Sequence, residues 1–443
     1  MIYFFFKKIK ISLLLTLLYI PFVYGNSLSP LAYGETPASL ACIYGLTAYL
    51  PGCKIQGTTA VPMGGSGAIV IIDGQDDPNA LAEIQLFHSQ FFPGQFEQCN
   101  ADNTNQPCFQ RYYTTPSGAN PCVVATTTSS AHSFNIDDAI DIEPEIDIEW
   151  AHAMAPNASI YMVITQGWLQ TLDPNAPNTT GLINGLLCAK YLLQTYNGGR
   201  GIVSYSNSAS EWAGETAIDA YYQTPGIIYI ASAGDYSAPA RYPSTSPYVI
   251  AAGGTSVRRD ALGNYIDQVW WDNGVGHDCN PICKTGASGG PSRYEARPVY
   301  QNSVQKIVGT QRGTPDISFA ARNINVFCCQ IPSSPPNYQG NNCCGGTSKF
   351  ACQSIPQCTS GGIGAWVISG GTSLASPALA GIINSAHSGA SSTAEELSII
   401  YNGAIKNYPL YWTDILSGNN GYPALRGYDF TSGLGVPRGY GGK

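Results

Sequence analysis

The chain has 443 residues, 21 of them Lys or Arg and 29 Asp or Glu, for a formal charge of −8. An acidic surface offers nothing to a nucleic acid or to an anionic membrane. With 44% hydrophobic residues, 49 glycines and 30 prolines, the chain is neither disordered nor a coiled coil, and it is too long to be a small disulfide scaffold.

Residues 1–25 carry Lys7, Lys8 and Lys10, then an apolar run from Ile11 to Ile20, then Val23 and Gly25 ahead of Asn26. That is the layout of a secretory signal; an uncleaved amino-terminal anchor is the alternative. Either way the body, 26–443, is exported to a secreted or periplasmic location, and nothing later in it has the length and apolarity to span a membrane. Fourteen cysteines in an exported chain argue for disulfides. Close spacing predicts the staples Cys42 with Cys53, Cys99 with Cys108, Cys279 with Cys283 and Cys352 with Cys358, beside the doublets Cys328, Cys329 and Cys343, Cys344. Cys188, inside an apolar helical pattern, reads as a buried free thiol. A zinc site lacks its ligand spacing.

Short apolar runs at Ala68–Asp73, Ala158–Thr165, Gly201–Tyr205, Gly226–Ser232 and Tyr248–Ala252 predict buried strands. Helical spacing falls between them, at Leu81–Phe91, Leu182–Tyr196 and Glu211–Tyr222. This alternation predicts an α/β fold with a mostly parallel central sheet and helices on both faces, its chemistry at the carboxyl ends of the strands. Residues 99–135 and 324–362, rich in Cys, Asn, Gln, Pro and Gly, read as disulfide-pinned surface insertions.

Candidate chemistry comes in four segments. Glu143-Pro144-Glu145-Ile146-Asp147-Ile148-Glu149 places Glu143 and Asp147 four apart, on one face if helical, with Pro144 suited to a first turn; a half-exposed strand or a cation-binding loop is the other reading. Asp235 follows the strand ending at Ser232 and, alone, is a turn residue. Gly370-Gly371-Thr372-Ser373, with Pro377 beyond, presents a serine at a helix start, either as a nucleophile with its own N–H aimed at a bound carbonyl or as an ordinary cap. Near the end, Asp414 and Asp429 flank an Asn/Gly loop. Five histidines are present, His88, His132, His152, His277 and His387, and none lies in a His-Gly-Thr-His motif.

Taken together, these segments resemble the sedolisins, serine-carboxyl peptidases of subtilisin-like fold, over nearly all of residues 36–440. The resemblance implies a secreted serine-type endopeptidase or tripeptidyl-peptidase acting in acid on polypeptides. It implies that Ser373 is the nucleophile, Glu143 its base, Asp147 the carboxylate holding Glu143, and Asp235 a protonated donor to the oxyanion. It further implies one structural Ca²⁺ held by the carboxylates of Asp414 and Asp429 and the carbonyls of Ile415, Leu425 and Gly427. Leu425 stands where the family has Gly, and Ser204-Tyr205-Ser206-Asn207-Ser208 stands where it has Ser-x-Ser-Trp-Gly. Asp73 takes a place where some relatives carry a Glu. The domain start follows the signal within about ten residues, so no long prosegment is expected. The expected state is a monomer free of nucleic acid and, once the signal is cut, of membrane. Two rival classes are a neutral subtilisin-type hydrolase using Asp73 and a histidine, and a non-catalytic secreted binding protein.

Overall fold

The computed structural model describes residues 30, 33–100, 107–115, 120–125, 142–167, 169, 178–275, 284–329, 353–354 and 363–443. The signal-like segment lies outside them, as do His132, His277 and the cysteines at 279, 283, 343, 344, 352 and 358.

The elements that carry the site are, in chain order, α1 (Pro37–Ile43), β1 (Ala68–Asp73), α2 (Ala80–Phe91), β2 (Glu97–Gln98), β3 (Cys108–Thr114), β4 (Cys122–Val124), α3 (Glu143–Met154), β5 (Ser159–Ile164), α4 (Thr180–Tyr196), β6 (Gly201–Tyr205), β7 (Ala209–Ser210), β8 (Ile227–Ser232), β9 (Arg241–Tyr242), β10 (Ile250–Arg259), β11 (Tyr265–Trp270), α5 (Gln305–Val308), α6 (Thr372–Ala386) and α7 (Thr393–Tyr411). The central sheet runs β11-β10-β8-β6-β1-β5-β3-β2, with Ile317–Ala320 also on β10 and β4 on β3. Its pairings are parallel except β10 with β11 and β3 with β4. Parallel strands need crossovers, and the helices that supply them cover both faces.

Alternation along β1 sorts those faces. Ile69 and Ile71 join the core that holds α2, α3, α6 and α7, whereas Val70 and Ile72 pack with Leu182, Leu186 and Leu193 of α4. Helices α3 and α6 come unusually close: a Cβ added at Gly381 of α6 would stand 2.7 Å from the carbonyl oxygen of Ala151 and from Met154 Cβ. A glycine is therefore required there, and this close approach brings the amino ends of the two helices to one place.

Several expectations are corrected. Glu211–Tyr222 is no continuous helix but the 3₁₀ turns Glu215–Ala217 and Asp219–Tyr222; Gly214 at φ 99° breaks the run, and the Glu215 carboxylate accepts the Trp212 N–H at 2.9 Å. Neither insertion is wholly superficial. Cys108–Thr114 is a fully buried strand of the central sheet, its Arg111 ion-paired to Asp76 at 2.9 Å, and Ile324–Cys329 is a second fully buried strand. Polar Gln110 and Arg111 hide the first from any hydrophobic pattern. The staples Cys42–Cys53 and Cys99–Cys108 form as expected, but Cys188 is no free thiol: it bonds Cys122 across 66 residues. That crosslink ties α4 to β4, which spacing along the chain cannot reveal. Cys328 and Cys329 are also disulfide-bonded. Among the described residues, no helix is long and apolar enough to cross a membrane.

Two carboxyl pairs, Glu211 with Glu215 and Asp219 with Glu295, lie buried between the segment after β7 and strand Gly290–Ala296. Ser292 Oγ and the Arg293 N–H donate to Glu211, and Thr245 Oγ1 to Glu215 at 3.3 Å. Arg293 faces Glu211, and Arg312 faces Glu295. Burial first, then the neighbouring acid, pushes Glu215 from 4.5 up to about 9 and Glu295 up to about 8, and burial pushes Asp219 up to about 6. Since these folded-state values are raised, the unfolded chain releases its protons first. The stability these groups contribute is therefore fully present at acid pH and is lost from about pH 4.5 through about 9. Thermal unfolding across that range is expected to show the fall, with Glu215→Gln flattening it; an unchanged slope in the variant contradicts the assignment.

Candidate active site

β1, β6 and β8 are adjacent parallel strands, so their carboxyl ends open on one edge of the sheet. Asp73 ends β1, Ser206 follows β6 and Asp235 lies three residues past β8. Helices α3 and α6 point their amino ends at the same edge. Glu143 opens α3 with Pro144 in its first turn, and Ser373 is the second residue of α6. The strand and loop readings of residues 143–149 thus give way to the helix. A cleft of about 200 Å³ results, lined by Glu143, Ser206, Asn207, Ser208, Asp235, Tyr236, Thr372 and Ser373 among others. Asp147 lies one layer beneath it, fully buried.

Serine and carboxylates are joined through β6. Ser373 Oγ donates to the carbonyl of Ser206 at 3.1 Å, while Ser206 Oγ lies 2.7 Å from Asp147 Oδ1 and 3.1 Å from the Ser373 carbonyl oxygen. Gly371, at φ 124°, turns the chain sharply into α6. The Ser373 N–H, in the first turn, has no acceptor within its own helix.

Asp235 is oriented as well as placed. Its Oδ1 accepts the Thr372 N–H at 2.9 Å and the Thr372 hydroxyl at 2.6 Å, and that hydroxyl oxygen accepts the Gly234 N–H at 3.0 Å. A carboxyl group with one oxygen taking two donors keeps its proton on the other. That other oxygen, Oδ2, occupies the space a side chain at residue 371 would need, 3.0 Å from a Cβ built on Gly371. Burial pushes Asp235 above the ordinary carboxylate value, against the opposing pull of Thr372 and of the Arg241 charge. Arg241 in turn ties the two rims, donating from Nε to Ser208 Oγ at 3.0 Å and standing 4.5 Å over the Tyr236 ring. The roles of Ser206, Thr372 and Arg241 were hidden in the sequence, though Ser206 carried one signal: it directly follows a buried parallel strand.

Among the described residues, no histidine lines the cleft. His88 and His152 face each other at 2.8 Å, Nδ1 to Nε2, with burial lowering both, and His387 caps the end of α6. A further acidic trio, Asp77, Glu83 and Glu145, is buried with ligand oxygens all within 4.8 Å of one another. It is distinct from the calcium-type loop. In that loop the Gly427 N–H donates to Asp414 Oδ2 at 3.0 Å and the Leu425 N–H to Asp429 Oδ2 at 2.8 Å. The chain at 425–427 thereby sits between two carboxylates, an all-oxygen donor set that fits a hard divalent cation. Leu425 is tolerated there with its side chain 45% exposed.

Fold and site define a class: a subtilisin-like α/β domain whose serine sits among carboxylates. No family model matches the chain. Over 201 residues it is 32% identical to sedolisin of Pseudomonas sp. (strain 101), covering 45% of this chain and 28% of that protein. It is 25% identical over 274 residues to kumamolisin of Bacillus sp. (strain MN-32), covering 54% and 46%. The chain spans less than half the length of the curated relatives it matches. The solved structure of Pseudomonas sedolisin, a serine-carboxyl proteinase complexed with two molecules of pseudo-iodotyrostatin, has the same fold: TM-score 0.57, 20% identity, 92% of this chain and 96% of that one. Over about half of its length the chain is thus similar to sedolisin, xanthomonalisin and kumamolisin.

The Thr372 hydroxyl holds the ionised form of Asp235. Thr372→Val is therefore expected to raise the pH at which the Asp235 carboxyl titrates, read from its ¹³C shift; an unmoved or lowered midpoint contradicts the orientation given above.

Proposed function

We propose that this chain is an exported serine-type peptidase that hydrolyses polypeptides in acid. The observation that carries the reading is the cleft itself, which Ser373, Glu143 and Asp235 line together, with Asp235 Oδ1 taking both Thr372 donors. Ser373 Oγ attacks the scissile carbonyl carbon as Glu143 takes its proton. The C–O bond forms, the carbonyl π pair moves to oxygen, and the oxyanion is met by the Asp235 carboxyl O–H and the Ser373 N–H. Glu143 then passes its proton to the amine as the C–N bond breaks. Water repeats the sequence on the acyl-enzyme and releases Ser373. Asp147 holds the base in place. An acid donates only while neutral, so the oxyanion site fails as Asp235 ionises.

The purified protein should cleave an unfolded protein substrate at about pH 3.5 and not at about pH 8. Ser373→Ala and Glu143→Gln should each lower the rate by about 10³-fold or more. Asp235→Asn keeps a donor that does not ionise, so it should extend activity toward neutral pH, whereas Asp235→Leu should cost about 10²-fold. Cleavage at pH 8 that survives Glu143→Gln overturns the carboxylate base and returns the role to a histidine. Folded protein inert at both values favours the binding-protein reading.

Asp414 and Asp429, with the carbonyls of Ile415, Leu425 and Gly427, would hold one Ca²⁺, which supplies charge compensation to the loop rather than chemistry. Chelation should lower the unfolding temperature by an amount equivalent to about 3 kcal/mol when calcium is about 100-fold above its dissociation constant. Asp429→Asn should abolish that calcium dependence; a variant still responsive to chelator contradicts the ligand set.

A further inference from the structure

Ser237 stands beside the cleft with φ 59°, a left-handed backbone that an L side chain adopts only where its surroundings hold it. It lies between Ala238 and Tyr236, and Tyr236 lines the cleft. Bonds grip the turn from both sides. The Ser237 N–H donates to the Gly286 carbonyl at 2.8 Å, and the Ala238 N–H donates to the Asn420 carbonyl at 2.7 Å. Asn420 belongs to the calcium-type loop, at the tip of a tight hairpin closed by the Ala424 N–H on the Gly418 carbonyl at 3.0 Å. It is 3% exposed, and its side chain is bonded at both ends: Nδ2 donates to the Phe430 carbonyl at 2.7 Å, and Oδ1 accepts the Tyr422 N–H at 3.1 Å. Those two bonds fix the direction of the Asn420 carbonyl. The tip also touches the turn directly, because a Cβ added at Gly421 would stand 2.9 Å from Ala238 Cβ.

We propose that Asn420 is a positioning residue that holds the turn at Ser237 and thereby aims the Tyr236 ring at a bound peptide. Two sets of anchors divide this side of the cleft. Asp235 is fastened through its carboxyl group to Thr372 and through its carbonyl to the Gly286 N–H at 2.9 Å, so it keeps its place when residue 420 changes. Tyr236 adjoins the left-handed residue. Its N–H reaches Ser288 Oγ at 3.0 Å, Arg241 covers one face of its ring at 4.5 Å, and the residue is 48% exposed. Without the Asn420 carbonyl the turn loses one of its grips, Ser237 relaxes toward an ordinary backbone, and the ring shifts with it. A half-exposed aromatic ring at a polar cleft contacts the body of a peptide, and it does so equally before and during the reaction.

The kinetic consequence rests on the peptidase reading and the structural consequence does not, so two readouts keep them apart. Amide hydrogen exchange of the full chain is compared for wild type and Asn420→Ala. Exchange at Tyr236, Ser237 and Ala238 should quicken at least about tenfold, while the amides of β10 and of the middle of α6 keep their wild-type protection. Asn420→Ser, with a shorter side chain, should move the same amides in the same direction and carries the test if the alanine variant does not fold. Unchanged exchange at Ala238 in a folded variant overturns the proposal, whether or not the protein cleaves anything. Kinetically, Asn420→Ala should raise KM about tenfold with kcat within about twofold, since a contact made equally in ground and transition states moves KM alone. In a Tyr236→Ala background, which lacks the ring, Asn420→Ala should add less than about twofold. A loss confined to kcat, or equal in both backgrounds, overturns the positioning role while leaving the peptidase reading intact. A wild type that cleaves nothing fails the peptidase reading alone, and the exchange result still decides the role of Asn420.

Discussion

Buried carboxyl groups cannot all ionise, and the arrangement of this protein follows from where their protons go. Helix α3 begins with four acids in seven residues and contains no Lys or Arg. Two ionised carboxylates 4.8 Å apart, as in the trio that includes Glu145, repel by about 3 kcal/mol at an effective dielectric of about 20. Desolvation adds to that, and Glu83 and Glu149 are pushed well above the ordinary carboxylate range, burial being the first cause in each. The helix is satisfied when protons sit on some of these groups. Withdrawing those protons leaves buried carboxylates unpaired on this helix and its neighbour α2, at a cost in free energy.

The few cations are placed accordingly. Arg312 is spent on Asp316 in a pair with neither side chain exposed, Arg259 on Glu35 and Arg111 on Asp76. None of these pairs includes a residue that lines the cleft. Among the described residues it is Arg241 whose charge acts on Asp235, and it makes its hydrogen bonds to Ser208 while lowering the Asp235 value by its charge alone. A direct ion pair there would fix Asp235 in its ionised state and remove the donor proposed above for the oxyanion. Holding the guanidinium on the neighbouring rim shapes the cleft without taking the proton.

Much of this was legible in the sequence because it is local. Ala68–Asp73 and Gly201–Tyr205 are continuous apolar runs, and the structure returns them with those bounds. The four-residue spacing of Glu143 and Asp147 and the glycines before Ser373 are local too. What stayed hidden depends on contacts between distant segments. Strand Cys108–Thr114 conceals itself because its buried arginine is neutralised by Asp76, 35 residues away. Cys188 finds Cys122 only through the packing of α4 on the sheet. Glu211–Tyr222 has helical apolar spacing, but its acids are drawn into pairs with partners as far as Glu295, and Gly214 allows the break. Ser206 could be located at a strand end, yet its two partners lie 59 and 167 residues away.

The amino end of α6 poses an electrostatic problem that burial resolves. Helix amino termini favour negative charge by about 0.3–1 kcal/mol, and up to about 2 in enclosed geometries, so Asp235 against Thr372 is drawn toward its ionised form. Each pKa unit is worth about 1.4 kcal/mol, and the net displacement of Asp235 is nonetheless upward. Desolvation must therefore exceed the combined pull of the helix end, two Thr372 donors and Arg241. The donors favour the ionised form, yet they also orient the neutral one, since both converge on Oδ1 and leave Oδ2 for the proton.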